Sequence, residues 1–230
     1  MSAASTTLRT LAASVAVLLT VTGCQALDDA GRAMGRSDIV NDLAARIDRA
    51  LEMTYSAEYQ LGGGRTALIT QAQDPARSAY EWPDGKLTVT AEATTHCETE
   101  GERPVCTLEA PPAVNSKPSV VVYAAAEREG LVTPPMVMGL LTAAALDPGT
   151  VITQSSTTIA GLLATCVEVR QGSEDFSACV TGEGALGSFT GRIDGEPVEV
   201  AMSRFREQVD GAAFELPKGA GIVDRRQSGS

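Results

Sequence analysis

Aromatic residues are scarce in this sequence: one Trp, four Tyr and four Phe amount to 4% of 230 residues. A core must therefore be built mainly from Val, Leu, Ile, Ala and Met, and the 43% apolar content is enough for one ordinary domain. Histidine is scarcer still. His96 is the single one, and it leaves no Ser-His-Asp or Cys-His arrangement with a credible base. The sequence has no Cys-x-x-Cys pair, no P-loop and no metal-spaced His or Glu pair. Gly182-Glu183-Gly184-Ala185-Leu186-Gly187 has the spacing of a dinucleotide loop, but the SFTGRID that follows alternates into a strand, where such a loop must open a helix. The carboxylates are scattered on polar positions, and Glu98, Glu100 and Glu102 most simply solvate one hairpin. No catalysis, metal or cofactor is expected. Basic residues are also in deficit. With 18 Lys and Arg against 29 Asp and Glu the net charge is −11, which argues against nucleic acid and against electrostatic adhesion to anionic lipid.

Long apolar runs are missing too. Leu11–Val21 is too short to span a bilayer, which takes about 20 residues, and the uncharged stretch Leu131–Leu146 is interrupted by prolines and a glycine. Leu11–Val21 follows one charge, Arg9, and precedes small residues, the order of an export signal. It ends in Val21-Thr22-Gly23-Cys24, which resembles a bacterial lipobox. That resemblance implies cleavage before Cys24, diacylglycerol (with its palmitate-type chains) on the Cys24 thiol, and a lipid anchor on the extracytoplasmic side of the cell membrane. At about 0.8 kcal/mol per buried methylene, two or three acyl chains hold a domain there. Residues 1–23 are then a lipoprotein signal peptide and residues 24–37, small and polar, a flexible tether.

What is present reads as α+β. Ser37 can cap a helix in which Ile39, Leu43, Ile47 and Leu51 recur every four residues, widened by Val40, Ala44 and Ala50. From Thr54 the period drops to two: Tyr55, Ala57, Tyr59 and Leu61 share one face of a strand. Gly62-Gly63-Gly64 and Asp74-Pro75 turn the chain into RTALITQAQ and RSAYEW. Asp84-Gly85 as a two-residue loop puts Trp82 opposite Leu87, Tyr80 opposite Val89 and Ser78 opposite Ala91. Gly101-Glu102 as a loop puts Cys97 opposite Cys106 and Pro104 opposite Thr99, with a sheet edge on the far side of Pro104.

From Thr150 to Pro217 the chain reads as a meander: VITQSSTTI, LLATCVEVRQ, EDFSACVTG, ALGSFTGRID, EPVEVAMSRF and a short AFELP, joined at Ala160-Gly161, Gly172-Ser173, Gly182 to Gly184 and Asp194-Gly195. The Gly172-Ser173 loop puts Cys166 opposite Cys179. Both cysteine pairs then fall at non-hydrogen-bonded sites, where side chains are closest, so the expected disulfides are Cys97–Cys106 and Cys166–Cys179. They suit an oxidising exterior. The Asp194-Gly195 loop brings Phe189 to Val200, Gly187 to Met202 and Gly191 to Val198 on one face, small against large, which leaves room there.

Ala110–Pro118 reads as a loop and Ser119–Glu129 leans to helix. Thr133 can cap a further helix, with Pro134 and Pro135 in its first turn and Asp147-Pro148-Gly149 as its stop. Met136, Val137, Leu140, Leu141 and Ala144 cover more than half its circumference, so it is either buried on several sides or lines an apolar cavity. A curved antiparallel sheet wrapped round two or three helices is the economical fold, a single domain over residues 38–222 with a disordered tail at 223–230.

The lipobox, a helix running into TYSAEYQL, the mid-chain apolar helix and a meander closing on VDGAAFELPKGAGIV together resemble LolA-like half-barrels, and more closely the LprG/LppX type of exported lipoprotein. Phe214–Ala220 and Ile159-Ala160-Gly161 carry the resemblance most clearly. It implies a half-barrel closed by helices, with a cavity for acyl chains and no catalysis; the two cysteine pairs depart from the pattern. The cavity candidates are Met136, Val137, Leu140 and Leu141 on the helix and Phe189, Val198, Val200 and Met202 on the sheet. The expectation is a membrane-anchored protein that binds or transfers a lipid or acylated ligand. A cell-envelope interaction protein with a filled core is the alternative.

Overall fold

The structure, a computed structural model, describes residues 34–100, 103–111, 124, 126–128 and 130–226. The signal segment, Cys24, most of the tether and residues 112–123 lie outside them.

Helix α1 spans residues 34–50 and so begins ahead of the expected Ser37 cap. Val40, Leu43, Ile47 and Ala50 are its buried stripe, while Ile39 and Leu51 are half-buried at the margins. It leads into six strands: β1 (Tyr55–Leu61), β2 (Thr66–Gln73), β3 (Ala76–Trp82), β4 (Gly85–Val89), β5 (Thr94–Glu100) and β6 (Arg103–Glu109). A short helical segment at 126–128 (α2) and helix α3 (Pro134–Leu146) follow. The meander is β7 (Val151–Ile159), β8 (Leu162–Arg170), β9 (Phe176–Thr181), β10 (Leu186–Ile193) and β11 (Glu196–Arg206), and the chain closes on β12 (Gly221–Asp224).

The twelve strands among the described residues form one open, curved sheet in the order β12-β6-β5-β4-β3-β2-β1-β11-β10-β9-β8-β7. Its halves are joined where β1 pairs antiparallel with β11. One face is concave and apolar: Tyr55, Ala57, Tyr59 and Leu61 of β1 share a core with Tyr80, Trp82, Leu87, Val167, Val169, Val180, Phe189 and Val200. Against it pack Val40, Leu43 and Ile47 of α1, Ala126 of α2 and Val137, Leu141 and Ala144 of α3. The architecture is the α+β half-barrel that the periodicities imply.

Both disulfides form at the expected sites, Cys97–Cys106 and Cys166–Cys179, with Cα separations of 4.0 and 3.9 Å. They lie on the convex face, opposite the core. Ala160 (φ 50°) with Gly161 (φ 84°), and Asp194 (φ 52°) with Gly195 (φ 83°), make the two tight turns of the β7–β8 and β10–β11 hairpins. Positive φ at both central positions is the primed geometry that matches strand twist.

Five sequence expectations need correction. The β3–β4 turn is Pro83-Asp84, not Asp84-Gly85, so Trp82 faces Gly85, Tyr80 faces Leu87 and Ser78 faces Val89. Proline pre-sets the first turn residue, and Gly85 is needed because a Cβ there would come within 2.7 Å of the Trp82 indole nitrogen. A slip of two residues keeps every side chain on its face. Between β8 and β9 the loop is wider than Gly172-Ser173: a 3-10 turn spans Gly172–Glu174, and the Asp175 carboxylate accepts the Gln171 N–H, while the cysteine register is unchanged.

AFELP is not a strand. Residues 207–220 leave β11 and cross the convex face, with a 3-10 turn at Gly211–Phe214. The Arg77 guanidinium lies 4.2 Å from the centre of the Phe214 ring, and Lys86 Nζ donates to the Glu215 carbonyl. Small residues of that face, Ala79 and Thr88, are buried. The segment then feeds β12, which pairs parallel with β6 from Val105 to Leu108. So β6 is not an edge; Pro104, with no N–H to give, lies just before the paired stretch. Finally, Val223 and Asp224 belong to β12, so the domain runs past 222 into the segment expected to be a tail.

Candidate ligand site beneath helix α3

Helix α3 begins where its sequence predicts, with Thr133 extended (φ −95°, ψ 154°) and Pro134 and Pro135 in the first turn, but the Thr133 side chain does not cap it: its hydroxyl donates to the Glu127 carboxylate instead. Its only polar side chain, Thr142, donates to the Met138 carbonyl within the helix. Between its two ends the helix is therefore held on the sheet by apolar contact. Val137 and Leu141 are fully buried (0% exposed), as is Ala144, and these three lie on one face. Met136, Met138, Leu140 and Ala145 are half-buried beside them, while Pro135, Gly139, Thr142 and Ala143 face outward and Leu146 is 78% exposed. The expectation of burial on several sides is corrected: one face is covered and the apolar remainder meets solvent, because the helix is an outer layer over the concave face.

Its C-terminal end is fixed by polar groups. The Asp147 carboxylate accepts the Gly149 N–H, the Thr150 hydroxyl and the Gln171 side-chain amide at 2.9, 3.0 and 3.1 Å. The Arg36 guanidinium of α1 donates to the carbonyls of Asp147, Pro148 and Thr150 at 3.1, 3.3 and 3.0 Å. A cation is favoured at a helix C-terminus, where unpaired carbonyls gather. The Gly149 N–H first, then the Thr150 hydroxyl, hold the Asp147 carboxyl below its ordinary value. A lowered carboxylate contributes stability that is complete above the ordinary carboxylate range and is lost as pH falls through the lowered value. Exchange protection of the Gly149 amide, followed by NMR, is therefore expected to fall as pH drops below about 4, and Asp147→Asn is expected to remove that pH dependence.

The apolar face of the sheet gathers the residues named from sequence into one cluster with α3. Phe189, Val200 and Met202 are buried in the same cluster as Val137 and Leu141, and Met136, Leu140 and Val198 pack on its margin. Each of the eight cavity candidates thus borders one apolar core. Phe189 stacks on Phe176 with ring centroids 5.9 Å apart, and Tyr59 donates its hydroxyl to the Leu186 carbonyl at 3.0 Å, burial pushing its ionisation well above the ordinary phenol range.

The glycines do not leave open room on this face. A Cβ at Gly191 would come within 2.7 Å of the Phe176 Cβ and 3.1 Å of the Phe189 ring, so these two side chains fill that place. Gly187 occupies a bulge between Leu186 and Ser188 and faces Ile159 Cδ1 and the Cys179 carbonyl, not Met202. Met202 instead lies opposite Tyr59 of β1. Two surface depressions of about 380 and 370 Å³ lie elsewhere, at the Tyr59–Trp82 rim and beneath Phe214.

Sequence reading missed Arg36, Asp147, Tyr59 and Phe176 as parts of this site. For Asp147 the signal was present in Asp-Pro-Gly-Thr, where an aspartate accepts its own backbone two residues on. The single His96 is remote from α3: its ring centroid lies 6.0 Å from that of Trp82 and its Nδ1 3.7 Å from Glu98. Among the described residues no group of three His, Cys, Asp or Glu could hold a metal, and no helix is long and apolar enough to cross a membrane.

No family model and no curated protein matches the chain. Solved structures do. MucB is similar over 81% of this chain with a TM-score of 0.52 and 11% identity, and the match spans 66% of MucB, just under two thirds of its length. MucB in complex with MucA(peri) matches at 0.46 and 12% identity over 80% of this chain and 62% of that one. An uncharacterized conserved protein from Thermus thermophilus matches at 0.46 and 11% identity, over 80% and 98%. At such identity the likeness is one of fold: the chain has a LolA-like half-barrel, the fold of MucB.

Proposed function

We propose that this chain is an exported lipoprotein, held at the extracytoplasmic face of the cell membrane by acylated Cys24, whose half-barrel takes an acyl chain between α3 and the sheet and catalyses nothing. The observation that carries the reading is α3 itself: a 13-residue helix without a charge, seated in the apolar core by three fully buried side chains, with its polar ties confined to the segments just outside its two ends. Lifting it exposes Val137, Leu141 and Ala144, a cost of about 4–6 kcal/mol at ordinary burial values. An acyl chain contributes about 0.8 kcal/mol per buried methylene, so about seven methylenes offset that cost. Met136, Met138 and Leu140, half-buried at the margin, supply the adaptable surface that flexible apolar ligands require. The polar hub of Arg36 and Asp147 keeps one end of α3 in place while the rest yields.

The filled-core reading has its own support. Phe176 and Phe189 occupy the space over Gly191, and a protein so packed serves through its surface. The two readings part at Leu141, as argued below. The anchor is tested separately: Cys24→Ala is expected to move the protein from the membrane fraction to the soluble fraction and to abolish palmitate labelling. Unchanged membrane association in that variant removes the anchor from the proposal.

A further inference from the structure

We propose that β7 is a self-association edge, on which a second copy of this chain adds its own β7 antiparallel. The sheet has two rims. One ends in β12, four residues long and closed off by the Asp224–Arg226 ion pair at 2.6 Å. The other ends in β7, nine residues, VITQSSTTI, none of them buried, and among the described residues no strand pairs with its outer side. Bare edges are normally blunted by a charge, a proline or a bulge. β7 has no charged residue and no proline, and its register with β8 runs without interruption from Val151 to Ile159.

The hairpin fixes which backbone groups are free. Ile159 and Leu162 flank the two-residue turn and form its hydrogen-bonded closing pair. Alternation then turns the N–H and C=O of Val151, Thr153, Ser155, Thr157 and Ile159 toward β8, and those of Ile152, Gln154, Ser156 and Thr158 outward. A second β7 related by a two-fold axis at Ser155 sets Ile152 opposite Thr158 and Gln154 opposite Ser156, using every outward group in about eight hydrogen bonds. The same register places Val151 against Ile159, Thr153 against Thr157 and Ser155 against its own copy, with no like charges meeting in a chain of net charge −11.

Charge favours this occupant over a basic partner segment. β7 offers no carboxylate, and Glu168 on the neighbouring strand is already held by Arg170 at 2.8 Å. Leu163, 77% exposed and paired with Thr158, gains Ile152 of the second copy in the same cross-strand row. Such a seam falls short of the roughly 1,600 Å² of a standard interface, so the dimer is expected to be weak and concentration-dependent.

The test uses the full chain in detergent, with micelles in excess over protein. Ser155→Cys puts a thiol on the axis at a non-hydrogen-bonded site and is expected to give a covalent dimer on mild oxidation, whereas Thr157→Cys, facing Thr153, is expected to react at least tenfold more slowly. Sedimentation of the unaltered chain is expected to show a dimer fraction that rises with concentration. Ser156→Pro removes one outward donor at an edge position that tolerates proline, and is expected to weaken the dimer tenfold or more at unchanged melting temperature. A monomer at every concentration up to hundreds of micromolar, or equal cross-linking of the two cysteine variants, overturns the proposal.

Discussion

Replacing Gly184 with alanine is expected to destabilise the fold by about 3–5 kcal/mol, the combined scale of backbone strain and overpacking. Gly184 turns between β9 and β10 at φ 96°, and its N–H donates to the Thr181 carbonyl. An added Cβ would overlap the Arg46 carbonyl oxygen of α1, with the Arg46 carbonyl carbon at 2.8 Å and the Ala50 Cβ at 3.1 Å. No flexible side chain is available to yield, because the obstacle is helix backbone. The loop and α1 therefore meet at a place where only hydrogen fits, and alanine must either push the helix off the sheet or break the turn. At about 2–4 °C per kcal/mol for a domain of this size, thermal unfolding is expected roughly 6–20 °C lower. Gly63→Ala makes the control: its φ is 74°, but nothing lies near its Cβ, so only the smaller strain cost applies.

Truncating Leu141 to alanine is expected to cost about 2–5 kcal/mol, the range for a buried leucine whose surroundings relax only in part. Leu141 is fully buried between α3 and the sheet, in one cluster with Val137, Phe189 and Val200. The stability loss alone does not separate the two functional readings; uptake does. If acyl chains enter beneath α3, removing the side chain that fills the seat is expected to raise the rate of uptake of a fluorescent fatty acid several-fold. A filled-core protein is expected to lose the same stability with no change in uptake. Chemical denaturation and stopped-flow fluorescence on one preparation give both quantities.

Much of the sheet was legible because its signals are local. Ala160-Gly161 and Asp194-Gly195 set two hairpin registers by loop length, and the same counting outward from Gly101-Glu102 and from Gly172-Ser173 puts the cysteines at 97 and 106, and at 166 and 179, opposite each other. Misreadings arose where tertiary contact decides. Asp84-Gly85 looked like the tighter turn, yet Gly85 serves to admit the Trp82 ring. Residues 213–217 carry strand-like composition, but Phe214 is drawn to Arg77 on the convex face and the strand forms later, at Gly221. The pairing of β12 with β6 joins residues far apart in sequence, and no periodicity announces such a partner.

The site was legible as a set of residues and not as a shape. Spacing put Met136, Val137, Leu140, Leu141 and Ala144 over more than half of a helix, of which only Val137, Leu141 and Ala144 are fully buried, and alternation put Phe189 and Val200 on one face of a sheet. Whether glycines leave space depends on what neighbouring strands send over them. Gly191 is covered by the Phe176 Cβ from the next strand and by the Phe189 ring, and Gly187 is turned to the other face by a bulge. Arg36 escaped notice because its role, holding the carbonyls at the end of α3, needs two helices that are distant in sequence.

Native mass spectrometry of the full chain, released gently from detergent, tests the central claim most directly. Acyl groups attached covalently at Cys24, as proposed, would count in the polypeptide mass, so a ligand beneath α3 registers as a separate, collision-labile and solvent-extractable addition. About one acyl lipid per chain is expected, lost on extraction and regained when lipid is returned. A chain that is reproducibly empty, and that also fails to take up added fatty acid, contradicts the account.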